Sequence, residues 1–190
     1  MRTLISLQER IFAPVSGADG LLGFLARFVF LAVLFMYFIR SGLTKLGDGL
    51  LGLFQPSLGA YAQIFPRAME AAGYDVSQLG MFHWLVVTAG TWAEFILPVL
   101  IVIGLFSRLA ALGMIGFVAV QSLTDLVGHG GWSDPAVLGG WFDGAPDGII
   151  MDQRLFWVFG LLIIVIKGGG LLSLDRALTS SAETRQASAA

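Results

Sequence analysis

Residues 90–100 read GTWAEFILPVL, and they place a carboxylate, Glu94, inside an otherwise almost wholly apolar segment, residues 84–104. A charge at the centre of a bilayer costs roughly 2.5–3.5 kcal/mol on insertion scales, so an ionisable residue inside a membrane-spanning helix needs compensation. We therefore expect Glu94 to face the interior of a helix bundle, with its charge removed by a proton or balanced by a cation. Arg40, at the end of an earlier apolar segment, is the cation that fits best.

The composition of the whole chain is that of an integral membrane protein. Of its 190 residues, 56 % are hydrophobic and 13 % are charged, and the mean hydropathy is +0.82. Soluble domains carry about 25 % charged residues. The net charge of -2 offers no basic surface for nucleic acid. Because the chain contains no cysteine, any redox activity would need a bound cofactor or a partner protein.

Four apolar segments are long enough to cross the membrane, for which roughly 20 helical residues are needed. They are residues 21–43, 82–105, 109–127 and 155–172. Only a short turn separates the second segment from the third, which predicts a tight antiparallel hairpin. The predicted fold is therefore all-α, a four-helix transmembrane bundle with short interfacial helices.

The chain divides into three parts. Residues 1–19 are predicted to form an N-terminal interfacial segment, because apolar residues recur at helical spacing over 2–12 and Pro14 then ends the helix. Residues 20–176 form the membrane domain. Residues 177–190 are polar and are predicted to be a disordered C-terminal tail.

The two long connections and the C-terminal end carry their own local signals. Residues 61–73 have a helical composition and predict a short helix on the bilayer surface. Residues 128–148 are rich in Gly and Asp and predict a loop whose Trp132 and Trp141 lie at the interface. Ser173 is expected to cap a short helix that follows it.

The distribution of positive charge predicts the orientation. Seven of the eleven Lys and Arg residues lie on the side of the bundle that carries both chain ends. Positive residues are enriched in cytoplasmic loops, so both termini are predicted to be cytoplasmic.

Polar side chains from three predicted helices should meet in one half of the bundle. On the second helix, His83 lies three turns before Glu94 and therefore on the same face. On the third helix, Gln121, Asp125 and His129 follow one another at four-residue intervals. The first helix brings its polar residues to its outer end, and these are Tyr37, Arg40, Ser41, Thr44 and Lys45.

These residues are the candidates for a functional site. The catalytic candidates are Glu94, His129 and Arg40. The candidates for substrate binding are Lys45, Gln121, Asp125 and His83. A purely structural pair of Glu94 with Arg40 remains the alternative, since buried charge networks also fix helix packing.

Metal and haem sites are not predicted. His83 and His129 could ligate a haem or copper, but no repeat of Met or His supports a second ligand. The acidic residues of the second connection match no calcium-binding loop. They are Asp134, Asp143, Asp147 and Asp152.

A set of short motifs resembles the DoxX family of bacterial integral membrane proteins. The motifs are RSGLTKL at 40–46, Glu94 with Pro98, GLFSRLAA at 104–111, His129, GGG at 168–170 and SLD at 173–175. They occur in the family's order over about residues 20–176. The long connection 128–154 departs from the commonest pattern.

The resemblance implies a four-helix bundle in the bacterial inner membrane. The family takes its name from a subunit linked to thiosulfate:quinone oxidoreductase, and other members are associated with redox and detoxification complexes. Carried over to this sequence, the family's polar positions are Arg40, Lys45, Glu94, Arg108 and His129.

Two functions remain open, and whether the chain is itself an enzyme is open with them. The first is a membrane subunit of a quinone-linked oxidoreductase, with quinone as the cofactor and a protein partner subunit. Glu94 or His129 would then exchange protons, and Arg40 or Lys45 would attract an anionic donor such as thiosulfate. The alternative is a non-catalytic membrane anchor or assembly partner for a redox or metal-handling complex.

Overall fold

The computed structural model of the chain describes residues 1–49 and 51–189, with side chains as far as Ala182. Within these ranges the fold is all-α, which confirms the predicted class. Four helices are long and apolar enough to span a membrane. We call them the first to fourth spanning helices, and they are Asp19–Lys45, Met81–Ile103, Ser107–Gly128 and Ile149–Lys167. The first three match their predicted bounds closely.

The fourth spanning helix is shifted from its prediction of 155–172. It begins earlier, at Ile149, because residues Ile149–Arg154 form a π-helical turn that takes charged residues into the helix. It ends earlier, at Lys167, because Gly168 has a positive φ of 81°. Hydropathy alone excluded the charged turn and included the apolar residues after the glycines.

The first spanning helix contains a π-helical segment, Phe30–Phe35, that keeps its buried face continuous. Its buried residues Phe30, Leu34, Phe38 and Gly42 are four residues apart. At 3.6 residues per turn, a four-residue step drifts around the helix by about 40°. The wider π turn offsets this drift, and the four side-chain positions stay on the interior face.

Phe38 is the centre of the bundle's core, and it is completely buried. Its ring lies edge-on to the rings of Phe117, at 5.9 Å, and Trp157, at 6.2 Å. These rings come from the third and fourth spanning helices. Aromatic pairs favour such tilted arrangements, so Phe38 holds three helices around one contact.

The bundle has two ends, which we name by the chain segments they carry. The terminal side holds both chain ends and the turn 104–106, and the connection side holds residues 46–80 and 129–148. On the terminal side, the backbone of the first helix touches the turn that follows the fourth helix. A Cβ on Gly23 would lie 2.5 Å from the carbonyl oxygen of Gly168, so only glycine permits this approach.

Short helices flank the bundle. The helix Arg2–Ser16 runs through Pro14 instead of ending there. Proline removes one N–H donor to the carbonyl of Arg10, and this helix is exposed on all sides, so solvent or lipid headgroups can bond that carbonyl.

The predicted surface helix 61–73 is two helices, Leu58–Ile64 and Pro66–Ala71. Pro66 is the reason, because it occupies the first turn of the second helix and cannot continue the first. In the other connection, Trp132 and Trp141 are more than half exposed, around a short helix, Pro135–Leu138.

The predicted C-terminal tail, residues 177–190, begins inside a helix. A helix occupies Leu174–Ala189, and Ala190 lies outside the described residues. Its Ala, Arg, Glu and Gln residues are good helix formers. Ser173 accepts a hydrogen bond from the backbone N–H of Arg176 at 3.3 Å, as a capping residue does.

Asp175 ties this last helix to the hairpin between the second and third spanning helices. Its carboxylate accepts hydrogen bonds from the backbone N–H groups of Phe106, at 2.7 Å, and Ser107, at 2.8 Å. Burial acts to raise the pKa of Asp175, but these hydrogen bonds and the charge of Arg27 outweigh it, so the pKa lies below its usual value. The ionised carboxylate therefore stabilises the folded state.

We predict that Asp175→Asn lowers the free energy of unfolding by about 2 kcal/mol at neutral pH, since it weakens hydrogen bonds to a charged group. A carboxyl whose folded pKa is depressed stabilises above its unfolded pKa, and this effect is lost as pH falls below about 4. The difference in melting temperature between the wild type and the variant should therefore shrink from pH 6 to pH 3. A constant difference would contradict the assignment. Asp147→Asn, in an exposed loop, is the control.

Candidate functional site

A cavity of about 410 Å³ lies between the second and third spanning helices. On the third helix its wall follows one face for three turns, from Gly113 through Gly116 and Val120 to Thr124. Gln63 and Ile64 cover its end on the connection side. Small residues make the space: a Cβ on Gly116 would meet no atom within 4 Å.

A buried ion pair forms the polar end of this cavity. The Lys45 Nζ lies 3.0 Å from both carboxylate oxygens of Glu94, and the side chains are 6 % and 3 % exposed. Glu94 belongs to the middle of the second spanning helix, Met81–Ile103, so its carboxylate is far from either end of that helix. Ser41 completes it, donating its hydroxyl to Glu94 at 2.9 Å and accepting a hydrogen bond from Lys45 at 2.7 Å.

The partner of Glu94 is Lys45, not the predicted Arg40. Ser41 and Lys45 are four residues apart, so they share a helix face, whereas Arg40 precedes Ser41 by one residue and points about 100° away. Arg40 is exposed. The charge of Glu94 is thus balanced by Lys45, a cation from the last turn of the first helix. The hydroxyl of Ser41 bonds to both side chains.

A second cavity, of about 450 Å³, lies toward the connection side. Its wall contains a second ion pair, in which Arg154 Nη2 lies 2.6 Å from Asp125 Oδ2. Arg154 is buried and also donates to Ser122 at 3.0 Å. Both members of the pair belong to π-helical turns, Thr124–Gly128 and Ile149–Arg154. Asp125 lines both cavities.

Gln121 also lies between the two cavities. It lines the first, and its Nε2 donates to the hydroxyl of Tyr37 at 2.8 Å, while Tyr37 lines the second. The Oε1 of Gln121 is buried and has no hydrogen-bond partner among the described residues. It is therefore an acceptor that a ligand or water can use.

The two histidines take different places. His129 lines the second cavity, and its Nε2 lies 2.9 Å from the carbonyl oxygen of Gln63. His83 packs against the ring of Phe65 at 4.8 Å. Neither His83 nor Arg40 lines one of these two cavities among the described residues.

The structure thus brings together four of the seven predicted site residues in the first cavity, namely Lys45, Glu94, Gln121 and Asp125. Sequence analysis placed Tyr37 and Ser41 in the polar half of the bundle but did not name them as partners, and it missed Arg154. The four-residue spacing of Ser41 and Lys45 was a usable signal. No such signal existed for Arg154, because hydropathy placed this residue outside the fourth helix. In the described part of the chain, no group of three His, Cys, Asp or Glu residues could hold a metal ion.

A comparison with known families agrees with this arrangement. A family model described as DoxX matches residues 24–125, which is more than half of the chain's 190 residues. The chain belongs to the DoxX family. No curated protein and no solved structure matches it. With its four apolar helices, this DoxX protein is a multi-pass membrane protein.

The match contains Lys45, Glu94 and Asp125 but ends before Arg154. The first ion pair of this DoxX protein therefore lies wholly within the matched region. The second pair joins that region to the fourth spanning helix, which lies beyond it.

We predict that Lys45→Met destabilises the protein by about 3 kcal/mol or more, because it leaves Glu94 buried without its cation. The double variant Lys45→Met with Glu94→Met should be more stable than the single variant, since no charge then remains buried. Thermal unfolding in detergent measures both. Arg40→Met is the matched control and should change stability by less than about 0.5 kcal/mol. A larger loss with Arg40→Met than with Lys45→Met would overturn the pairing.

Proposed function

We propose that this chain binds a membrane quinone in the cavity beside Glu94 and serves as a membrane subunit of a quinone-linked oxidoreductase of the thiosulfate:quinone type. One observation carries the proposal: an apolar cavity within the bundle ends at the buried pair of Lys45 with Glu94. A quinone has the matching form, with an apolar ring and tail and polar oxygens on the ring.

The size and lining of the cavity support this ligand class. Its volume of about 410 Å³ lies within the range of roughly 300–1,000 Å³ that is typical of small-molecule sites. Gly113, Gly116 and Val120 line it and are exposed along the third helix, so a lipid-soluble molecule can enter from the bilayer. The free Oε1 of Gln121 can accept a hydrogen bond from a quinol hydroxyl.

The ion pair supports proton exchange at the same place. Reducing a quinone to a quinol takes two electrons and two protons, and the quinone supplies this redox chemistry when it is bound. Glu94 can release or take up a proton, and Lys45 holds its carboxylate in position through two hydrogen bonds. The electrons must come from a partner subunit and its donor, because this chain has no cysteine and carries no redox group of its own in this proposal.

Lys45 is not suited to attract an anionic donor. Its charge is balanced by Glu94, and it is only 6 % exposed in its side chain. Arg40 is exposed and remains the better candidate for meeting an anion such as thiosulfate. The partner subunit would complete that site.

We predict that Gly116→Leu removes quinone from the purified protein, because the larger side chain fills the cavity. The measurement is mass spectrometry of lipophilic extracts after purification in mild detergent. The matched control is Gly160→Leu, which also introduces a side chain where a Cβ meets no atom within 4 Å but does so on the fourth helix, beside a different cavity. Equal quinone in both variants, or none in the wild type, would refute quinone binding at this cavity.

A second variant addresses the chemistry. Glu94→Gln should abolish quinone-dependent turnover of the assembled complex while the protein still folds, since an amide cannot exchange the proton that quinone reduction requires. Turnover is measured by the absorbance change of an added water-soluble quinone. Unchanged turnover with a correctly folded variant would exclude Glu94 as the proton carrier.

The anchor function has one observation in its favour. The connection 129–148 exposes large aromatic side chains, with Trp132, Trp141 and Phe142 all more than half exposed. Such residues suit either a membrane interface or a protein partner. An empty cavity in the wild-type protein, together with a partner that binds only when this connection is intact, would favour an anchor or assembly role.

A further inference from the structure

The first and second cavities meet at a single side chain. Asp125 lines the cavity of about 410 Å³ that contains Glu94, and it lines the cavity of about 450 Å³ toward the connection side. The second cavity also contains the exposed residues Asp134 and His129. Polar groups are therefore placed from the connection-side surface to Glu94.

Two contacts between side chains separate the cavities. One is the ion pair of Asp125 with Arg154 at 2.6 Å, and the other is the hydrogen bond from Gln121 to Tyr37 at 2.8 Å. Both contacts join the third spanning helix to a neighbouring helix. Since only side chains form them, rotamer changes would open the partition without moving the helices.

Buried polar atoms beside this partition indicate water. The Nε of Arg154 and the Oε1 of Gln121 are buried and have no hydrogen-bond partner among the described residues. Leaving such a group unbonded costs about 1–3 kcal/mol. Each residue lines a cavity that is large enough for several water molecules and offers them further polar partners. Water is the partner available to both atoms when no ligand is bound.

We infer that the two cavities form one hydrated route by which Glu94 exchanges protons with the solution on the connection side, and that the contacts Asp125–Arg154 and Gln121–Tyr37 gate it. The charged groups facing this route are Lys45 beside Glu94, Arg154 beside Asp125, and Asp134 at the mouth, with the titratable His129 next to it. A carboxylate at mid-span would then receive protons from one side of the membrane only.

The use of this proton in quinone chemistry rests on the proposed function, whereas the hydrated route does not. Water can reach Glu94 whether or not a quinone binds beside it. A test of water access therefore distinguishes failure of the route from failure of quinone binding.

The chain contains no cysteine, so single introduced thiols report water access without background. Gly90→Cys places a thiol in the first cavity one turn before Glu94, where a Cβ lies 3.9 Å from its nearest neighbour. Leu85→Cys is the matched control on the same helix, exposed on the outer surface and outside this cavity. Both variants are placed in lipid nanodiscs and treated with a quaternary-ammonium methanethiosulfonate, and labelling is followed by intact mass.

The thiol at position 90 should react at least about tenfold faster than the thiol at position 85, because only a hydrated thiol ionises readily. Leu85 is nearer the connection side, so depth alone would predict the opposite order. If Gly90→Cys does not fold, Thr124→Cys replaces it. Thr124 lines the same cavity, and its side chain is similar in size to that of cysteine. Equal rates would overturn the route.

The gate is tested by adding Asp125→Asn to the Gly90→Cys variant. Weakening the ion pair should accelerate labelling at position 90 about tenfold and leave position 85 unchanged. Removing a negative charge would by itself slow a cationic reagent, so acceleration cannot be a charge effect. Gln121→Leu tests the other contact and serves if Asp125→Asn unfolds the protein. Rapid labelling that neither change affects would show that water enters elsewhere, and the inferred gate would be wrong.

Discussion

Arg27 is the residue on which the register of the bundle depends. It is buried in the first spanning helix and donates hydrogen bonds to four carbonyl oxygens, those of Ile101, Val102, Gly169 and Leu172. These carbonyls belong to the end of the second helix and to the turn after the fourth, where backbone N–H partners run out; the carbonyl of Ile101 also accepts the N–H of Gly104 at 3.2 Å. In hydrocarbon each unsatisfied carbonyl would cost several kcal/mol. One guanidinium therefore bonds the end of the second helix and the turn after the fourth, and it fixes three helices relative to one another.

With the terminal side fixed by Arg27, the placement of Lys45 follows from the course of the first helix. The interior face passes from Arg27 through Phe30 and Phe38 to Lys45, and the π-helical segment Phe30–Phe35 keeps that face turned inward. In a regular α-helix, residues spaced four apart would turn progressively away from the bundle interior. The end of this helix then meets Glu94, and both buried cations of the helix, Arg27 and Lys45, have several oxygen acceptors.

The sequence was sufficient for the existence of four spanning helices, because long apolar runs are a strong signal. It was also sufficient to require a partner for Glu94. It was not sufficient to choose Lys45 over Arg40, since that choice depends on helix phase and on how far each helix extends along its neighbour. Sequence analysis used Arg27 only in the count of positive charges. Its hydrogen bonds go to backbone carbonyls, and these cannot be recognised from the pattern of polar side chains. Arg154 was missed because the fourth spanning helix begins with the π-helical turn Ile149–Arg154, whose charged residues hydropathy places outside the helix.

The cavity beside Glu94 is not what packing alone would produce. Helix interfaces in membranes use small residues to bring backbones together, and Gly23 does so against Gly168. Gly116 does the opposite, because a Cβ there would meet nothing within 4 Å. If the bundle served only to be stable, a larger apolar side chain at this position would add contacts and exclude water from the ion pair. The open space next to the pair of Lys45 with Glu94 therefore argues for a molecule that enters it.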